Sequence, residues 1–551
     1  MAPQIYLDSN ATNTVLPQAV LAARLAMEQD YGNPSSTHIA GLRAKALLES
    51  VRQRAARVLG AGDGRVVFTS GATEGIHTAV LSALVALRER RAAGQPIGRR
   101  LLYGATEHKA VPESLAHWNR LLGLDLEILA LPVGGDGRHD LARLRTLAPD
   151  TALLCTMAAN NETGVISDLA GIERELVASG SAALWLVDGV QALGKLPLNL
   201  CATRIDYAPF SGHKLYAPKG VGLLYVRAGA PFTPLMVGGG QESGWRSGTE
   251  NMAGIAALGA VLAALEDGCT FRAPAQLAAF RDQLAGSLRS AFAGLRFNAP
   301  FDMALPTTLN FSVPEVSSKE LLNLFDAAGL RVSAGSACSS GQAEPSHVLE
   351  AMRLPAWCSG SAIRLSFGPL VDAATIAAAC DAIARCGRAL EEPVRLEPVE
   401  GAPSSAGLRQ AQPERGAGVD RNGGVERSGG VEQGWRFEDH AIADAASLHD
   451  FLQQHPDVVL VDVREACEHR VGGGVVMGGV TALNVPMANL PAHAERWLRP
   501  DTAPPLVFIC RSGQRAMQAA ARMRCLGHAQ AWHLAGGLAA HPAETADLIS
   551  Q

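Results

Sequence analysis

Leu184-Trp185-Leu186-Val187-Asp188, followed by Asp206-Tyr207-Ala208 and then Ser211-Gly212-His213-Lys214, decides the fold. Each apolar run closes on polar or charged residues, as a strand buried on both faces does where its carboxyl end opens into a loop. Val66-Val67-Phe68-Thr69, Ala152-Leu153-Leu154-Cys155 and Gly222-Leu223-Leu224-Tyr225-Val226 repeat the pattern, with helical periodicity between most of them. The alternation predicts an α/β domain: a largely parallel sheet covered by helices on both faces, with its chemistry at the carboxyl ends of the strands.

Asp188 ends a buried run, where an unpaired carboxylate is costly, so it requires a cationic partner. Lys214 as a Schiff-base former and Asp188 as counter-ion to a pyridinium nitrogen are what pyridoxal phosphate needs, because the charged ring nitrogen drains electrons from a substrate α-carbon. A structural Lys–Asp ion pair explains these two residues equally well. Thr69-Ser70-Gly71-Ala72-Thr73-Glu74 lies between a strand and a long helical pattern, where backbone N–H groups and the helix dipole bind phosphate.

Tyr6-Leu7-Asp8-Ser9-Asn10-Ala11-Thr12, Gly32-Asn33-Pro34-Ser35-Ser36, the Thr69–Glu74 run, Glu107-His108, Asn160-Asn161-Glu162-Thr163-Gly164, Ser211-Gly212-His213-Lys214 and Arg246-Ser247-Gly248-Thr249-Glu250-Asn251 occur in one order. In this the chain resembles the cysteine desulfurases of the class V aminotransferase fold, over residues 4 to 392. The resemblance implies the pyridoxal-phosphate-dependent transferase fold, a large mostly parallel sheet domain plus a small α+β domain. It implies that His108 stacks on the cofactor ring and shuttles protons, that Gln191 bonds the ring oxygen, and that Asn161 steadies ring and substrate. Ala72, Thr73, Ser211 and His213 would hold the phosphate, and Thr249 would reach it from the other subunit of a homodimer. Arg364, in Ala362-Ile363-Arg364-Leu365-Ser366, matches the arginine that clamps the carboxylate of L-cysteine, for which a guanidinium fork is suited. Two departures, Gly75-Ile76-His77 where the family commonly has asparagine and Asp188-Gly189 where it has Asp-Ala, leave the cofactor-bonding residues in place.

Ser333-Ala334-Gly335-Ser336-Ala337-Cys338-Ser339-Ser340-Gly341 has neither helical nor strand periodicity and reads as a mobile loop exposing Cys338. A thiol among small hydroxyl residues is poorly placed for packing and well placed for attack once deprotonated. By the resemblance, Cys338 takes sulfur from L-cysteine, leaving L-alanine and a persulfide. A selenocysteine lyase is the alternative within the same fold.

Residues 396 to 434 are rich in Gly, Pro, Ser and Glu and read as a flexible linker between a domain at 1–395 and another at 435–551. Forty such residues span roughly 30 to 40 Å as a random coil. Beyond them, Val458-Val459-Leu460-Val461 and Leu506-Val507-Phe508-Ile509 read as buried parallel strands. The second of these runs into Cys510-Arg511-Ser512-Gly513-Gln514-Arg515 and then a helical pattern. A thiol at a helix N-terminus, circled by N–H groups with Arg511 and Arg515 near, favours a thiolate and a bound persulfide. With Asp462-Val463-Arg464-Glu465 before it and Gly536-Gly537-Leu538 after it, this part resembles a rhodanese-like α/β domain, its Gly472–Val480 stretch degraded to a glycine loop. The resemblance implies a relay of sulfur from Cys338 to Cys510 and on to a protein acceptor, such as an iron–sulfur scaffold or a thiolation enzyme. A rhodanese fold kept only for docking is the alternative.

At 551 residues the chain exceeds one ordinary core, and 48% hydrophobic with 18% charged residues fits a well-buried globular enzyme. A net charge of −5 gives no basic field for nucleic acid. No basic leader or apolar span is evident, so a cytoplasmic place and no membrane contact are expected. Ten scattered cysteines without a CxxC pair argue against disulfides and a metal site, and most should be buried as small hydrophobes.

Overall fold

The computed structural model describes residues 4–334, 345–391, 440–498 and 503–541. Cys338 and the 396–434 linker lie outside the described residues. The chain divides into two compact units, Pro3–Gly387 and the part C-terminal to it.

The larger unit is built on a sheet of seven strands: β1 (Arg65–Thr69), β2 (Arg100–Gly104), β3 (Glu127–Leu131), β4 (Thr151–Met157), β5 (Leu184–Asp188), β6 (Tyr207–Ser211) and β7 (Gly222–Val226). Their spatial order is β1-β7-β6-β5-β4-β2-β3. Strands β3 to β6 and β2 pair in parallel, as the alternation of runs and helices predicts. β7 differs: it runs antiparallel to both β1 and β6. Its continuous apolar run carries burial but not direction, so nothing in its sequence distinguishes the two senses.

Alternation along the strands sends side chains to two cores. Trp185 and Val187 of β5 pack with Leu154 and Phe210 on one face. Leu184 and Leu186 pack with Leu153 and Cys155 on the other. A sheet buried twice over leaves only its strand ends for ligands. Helix α1 (Ala72–Ala92) leaves the end of β1 through Gly71, whose φ of 156° and lack of a capping side chain set the start of the helix.

A smaller antiparallel sheet joins β8 (Arg296–Phe297), β9 (Thr308–Ser312) and β10 (Ala362–Ser366) in the order β10-β9-β8. The N-terminal segment ties this part to the large sheet. Ser9 N–H donates to the Ser366 carbonyl at 3.0 Å, and Asn13 N–H to the His213 carbonyl at 3.0 Å.

In the C-terminal unit, β11 (Ala441–Ile442), β12 (Val459–Asp462), β13 (Leu483–Asn484), β14 (Leu506–Ile509) and β15 (Ala531–Leu534) form an all-parallel sheet ordered β11-β15-β14-β12-β13. Helices α2 (Ala466–Gly472) and α3 (Gln514–Cys525) follow β12 and β14. The glycine-rich stretch is more ordered than a degraded motif suggests. Gly478 and Gly479, with φ of 56° and 80°, turn a tight hairpin between Val476–Met477 and Val480–Thr481.

The cysteine expectation needs correction. Of the nine cysteines among the described residues, only Cys155, Cys358, Cys386 and Cys510 are buried, and none is joined to another in a disulfide. Cys201, Cys269 and Cys525 are exposed because they stand on surface turns and a helix end, where a small apolar side chain loses little by facing water.

Candidate active site

Lys214 sits in a short helical turn, Gly212–Leu215, directly after β6. Its amine donates to the carbonyls of Asn10 and Ala11, both at 2.8 Å. On the neighbouring strand Asp188 closes β5, 7% exposed, with Oδ1 accepting the Val190 N–H at 2.9 Å. Burial pushes its carboxyl up to about 6, against the opposing pull of the Val190 N–H and the charge of Lys214. A carboxyl held there is poised to ionise once a further cation lies against it.

Gln191 is 3% exposed and donates through Nε2 to the Asn10 carbonyl at 3.1 Å. Asn10 in turn donates through Nδ2 to the Asn161 carbonyl at 3.1 Å. Arg364, on β10, donates to that same Asn161 carbonyl at 3.1 Å and to Asp8 Oδ1 at 2.6 Å. The guanidinium is nearly buried, and its Nε has no partner among the described residues. Lys214, Gln191, Asn161 and Arg364 therefore meet through one small set of carbonyls, although they come from four separate parts of the chain.

The start of α1 forms the other side of the site. Ala72 N–H donates to Ser211 Oγ at 2.9 Å, bringing the helix N-terminus against the end of β6. Close approach is possible because Gly222 faces Gly71: a Cβ on Gly222 would meet Gly71 Cα at 2.7 Å. Thr73 is exposed in the first turn. His213 shares a hydrogen bond with Thr12 Oγ1 at 3.1 Å, and burial with the nearby lysines holds its imidazole down to about 4, so it is neutral. His108 is exposed. The protein crowding it, then Lys214, His347 and Lys109, lower its affinity for a proton. Thr249 is exposed on the loop that Arg246 pins to Glu74 at 2.9 Å.

Both ends of the segment carrying Cys338 are anchored among these residues. Ser333 exchanges backbone hydrogen bonds with Arg364 at 3.1 and 2.7 Å. Ser346 Oγ donates to the buried Glu162 at 2.6 Å, and His347 Nε2 lies 3.2 Å from the Glu107 carbonyl.

In the second unit Cys510 follows β14 and is fully buried, with Sγ accepting the Ala516 N–H at 3.4 Å. Its carbonyl accepts the Leu538 N–H at 2.9 Å. Gly513 caps α3 at φ 81° and is buried, while Ser512 and Gln514 are exposed. Arg515 interacts electrostatically with Cys510, in keeping with its position in the sequence, and has a second partner. It is held in a two-pronged ion pair with Glu468 of α2 at 3.0 and 2.8 Å, because that carboxylate is itself 2% exposed and needs a partner. Arg511 is half-buried.

A primary amine, a buried carboxyl one strand away and an uncapped helix start beside hydroxyls fit pyridoxal phosphate, which asks for a Schiff-base amine, a partner for its ring nitrogen and N–H donors for its phosphate. Fold and site together define a pyridoxal-phosphate-dependent enzyme. Residues 5–378 match the aminotransferase class-V family and 444–542 the rhodanese-like domain family. A cysteine desulfurase of Trichormus azollae is 39% identical over 365 residues, covering 66% of this chain and 87% of that protein. Among solved structures, a NifS-like protein aligns with a TM-score of 0.60 at 31% identity, over 69% of this chain and 98% of that one. SspA in complex with cysteine aligns with a TM-score of 0.56 at 26% identity, over 66% and 99%. The chain belongs to the cysteine desulfurases of the class-V aminotransferase family and carries a rhodanese-like domain at its C-terminal end.

Three residues here have roles that the sequence did not assign. Asn10 and Lys195 take part through contacts with no local signature. Glu107 is a fully enclosed carboxyl, raised well above its usual range by burial and then by Asp188, with Oε1 accepting the Met157 N–H at 2.6 Å. Its place beside His108 was the only signal for it.

Proposed function

We propose that the protein converts L-cysteine to L-alanine, holds the released sulfur as a persulfide on Cys338 and passes it to Cys510 for delivery to an acceptor protein. The observation that carries this is the meeting of Lys214 and Arg364 on the linked residues Asn10 and Asn161. An amine and a carboxylate-binding guanidinium so joined suit an α-amino acid, and the likeness to SspA in complex with cysteine supports this particular one.

Ala72, Thr73, Ser211 and His213 would hold the cofactor phosphate, with Thr249 of the other subunit of a homodimer. Asp188 would partner the ring nitrogen, Gln191 the ring oxygen, and His108 the ring itself. Bound there, pyridoxal phosphate supplies an electron sink for the substrate α-carbon. Arg364 takes the substrate carboxylate, its unpartnered Nε giving a donor beyond the one spent on Asp8. Lys214 accepts the α-proton, and Asn161 limits how the substrate can turn. The Cys338 thiolate attacks the substrate sulfur. The electron pair of the Cβ–S bond stays with carbon, a proton completes L-alanine, and Cys338 carries the persulfide. Transfer to Cys510 moves one sulfur atom from persulfide to thiolate. The N–H of Ala516 then bears on the accepting sulfur.

The experiment is mass spectrometry of non-reduced peptides after brief exposure to L-cysteine. Persulfide is expected on both cysteines in the native chain, on neither in Cys338→Ala, and on Cys338 alone in Cys510→Ala. Persulfide that never reaches Cys510 would leave the second unit a docking module, and undiminished alanine formation in Cys338→Ala would point to a lyase instead.

A further inference from the structure

Lys195 belongs to none of the motifs above. Part of its side chain reaches solvent, but its amine turns inward and donates to Gln191 Oε1 at 2.6 Å and to Asn10 Oδ1 at 3.1 Å. The orientation of both amides follows from their partners. A backbone carbonyl only accepts, so the Asn10 carbonyl requires Gln191 Nε2, and the Asn161 carbonyl requires Asn10 Nδ2. That leaves two amide oxygens facing one lysine, which has the donors for both. With Oε1 taken by Lys195 and one N–H by Asn10, Gln191 has one N–H left for a ligand. The same Asn10 accepts from Lys214 through its carbonyl.

We propose that Lys195 is a positioning residue: it locks the Gln191 and Asn10 amides so that Gln191 offers an N–H, and not its oxygen, to the cofactor ring oxygen, while the Asn10 carbonyl stays aimed at Lys214. This rests on Gln191 being the ring-oxygen partner. Without Lys195, the amide of Gln191 keeps only the Asn10 carbonyl to distinguish its two ends, and a flipped amide sets its oxygen against the ring oxygen. Burial, and then the charges of Lys214 and Arg364, hold the Lys195 amine down to about 7. Charged or neutral, it keeps the two N–H bonds that the lock needs.

The test uses the full chain freed of cofactor and titrated with pyridoxal phosphate, following affinity and the absorbance band of the bound cofactor. The set is Lys195→Met, Lys195→Arg, Gln191→Ala and the combinations with Gln191→Ala. Lys195→Met is expected to weaken binding roughly three- to tenfold, the scale of one hydrogen bond, and to shift the band. Lys195→Arg, which keeps donors, should recover most of the difference. In the Gln191→Ala background, replacing Lys195 should change affinity less than about twofold, since the amide that meets the ring oxygen is then gone and only Asn10 is left for Lys195 to hold. Equal losses from Lys195→Met in both backgrounds, or a Lys195→Arg protein no better than Lys195→Met, would overturn the proposal. Should Lys195→Met lose its secondary structure by circular dichroism, Lys195→Arg decides: near-native binding with Gln191 present upholds the lock, and a loss equal in both backgrounds sinks it. A Gln191→Ala protein that binds and absorbs like the native one would instead refute the role of Gln191, leaving the two failures distinct.

Discussion

Both units set a reactive residue just past the carboxyl end of a parallel strand, Lys214 after β6 and Cys510 after β14, but they build the surroundings in opposite ways. The Lys214 site gathers Asn10, Asn161, Asp188, Gln191 and Arg364 from across the larger unit. The Cys510 loop is almost self-contained: its Cys510 and Arg511 carbonyls accept from Leu538 and Ala539, Gly513 lies against Gly536-Gly537, and the Glu468–Arg515 pair ties it to α2. A site assembled from many rigid elements can lose one side chain and keep its frame. A loop that is its own frame cannot.

The sharpest way to break that contrast is Lys214→Ala. Removing the α-proton acceptor should lower alanine formation from L-cysteine by on the order of a thousandfold or more, with the circular dichroism spectrum unchanged. Loss of fold there would erase the distinction. Glu468→Gln should act the other way. It takes from Arg515 the nearly buried carboxylate that holds it, at a cost of about 3 to 5 kcal/mol. Hydrogen exchange should speed up through β14 and α3, while β4 to β6 and the rate of alanine formation stay as they were.

What the sequence made legible follows the same division. The ends of β5 and β6 at Asp188 and Ser211 were readable because an apolar run stopping at a polar residue is a local signal. The run from Cys510 to Arg515 was readable for the same reason. The antiparallel sense of β7 was not, since burial is encoded in the run and direction is encoded only in what it pairs with. Asn10 lies inside the Tyr6–Thr12 motif, yet its bonds to Gln191 and Lys214 join residues 181 and 204 apart in the chain, and no spacing announces them. That Arg515 also pairs with Glu468 was not legible, because this partner comes from another helix.

A smaller effect tests whether burial of Asp188 is a cost carried for the cofactor. Its folded carboxyl keeps a proton up to about 6, against an ordinary value of 3.8. Between those values the folded chain holds a proton that the unfolded chain has released, so stability of the cofactor-free protein falls as pH rises through that window. The fall should be on the order of 2 to 3 kcal/mol. Asp188→Asn cannot ionise and should lack that part of the decline in urea unfolding at pH 4 and pH 7, while holding pyridoxal phosphate less well. An unchanged pH slope would mean that Asp188 is solvated in a way its position does not suggest.

The smallest change separates strain from crowding within the second unit. Gly479 has a φ of 80°, and a Cβ there meets nothing within 4 Å. Gly513 has nearly the same φ, but a Cβ there would meet Gly536 N at 2.8 Å. Gly479→Ala therefore carries only the backbone cost of a left-handed residue, about 1 kcal/mol. It should lower the unfolding midpoint of the C-terminal unit slightly and leave exchange in the Cys510 loop unaltered, because the Cys510 and Arg511 carbonyls accept from Leu538 and Ala539 and not from the hairpin. If Gly479→Ala loosened the loop as Glu468→Gln is expected to, the loop would depend on the hairpin, and the self-contained frame that sets it apart from the Lys214 site would extend to the whole unit.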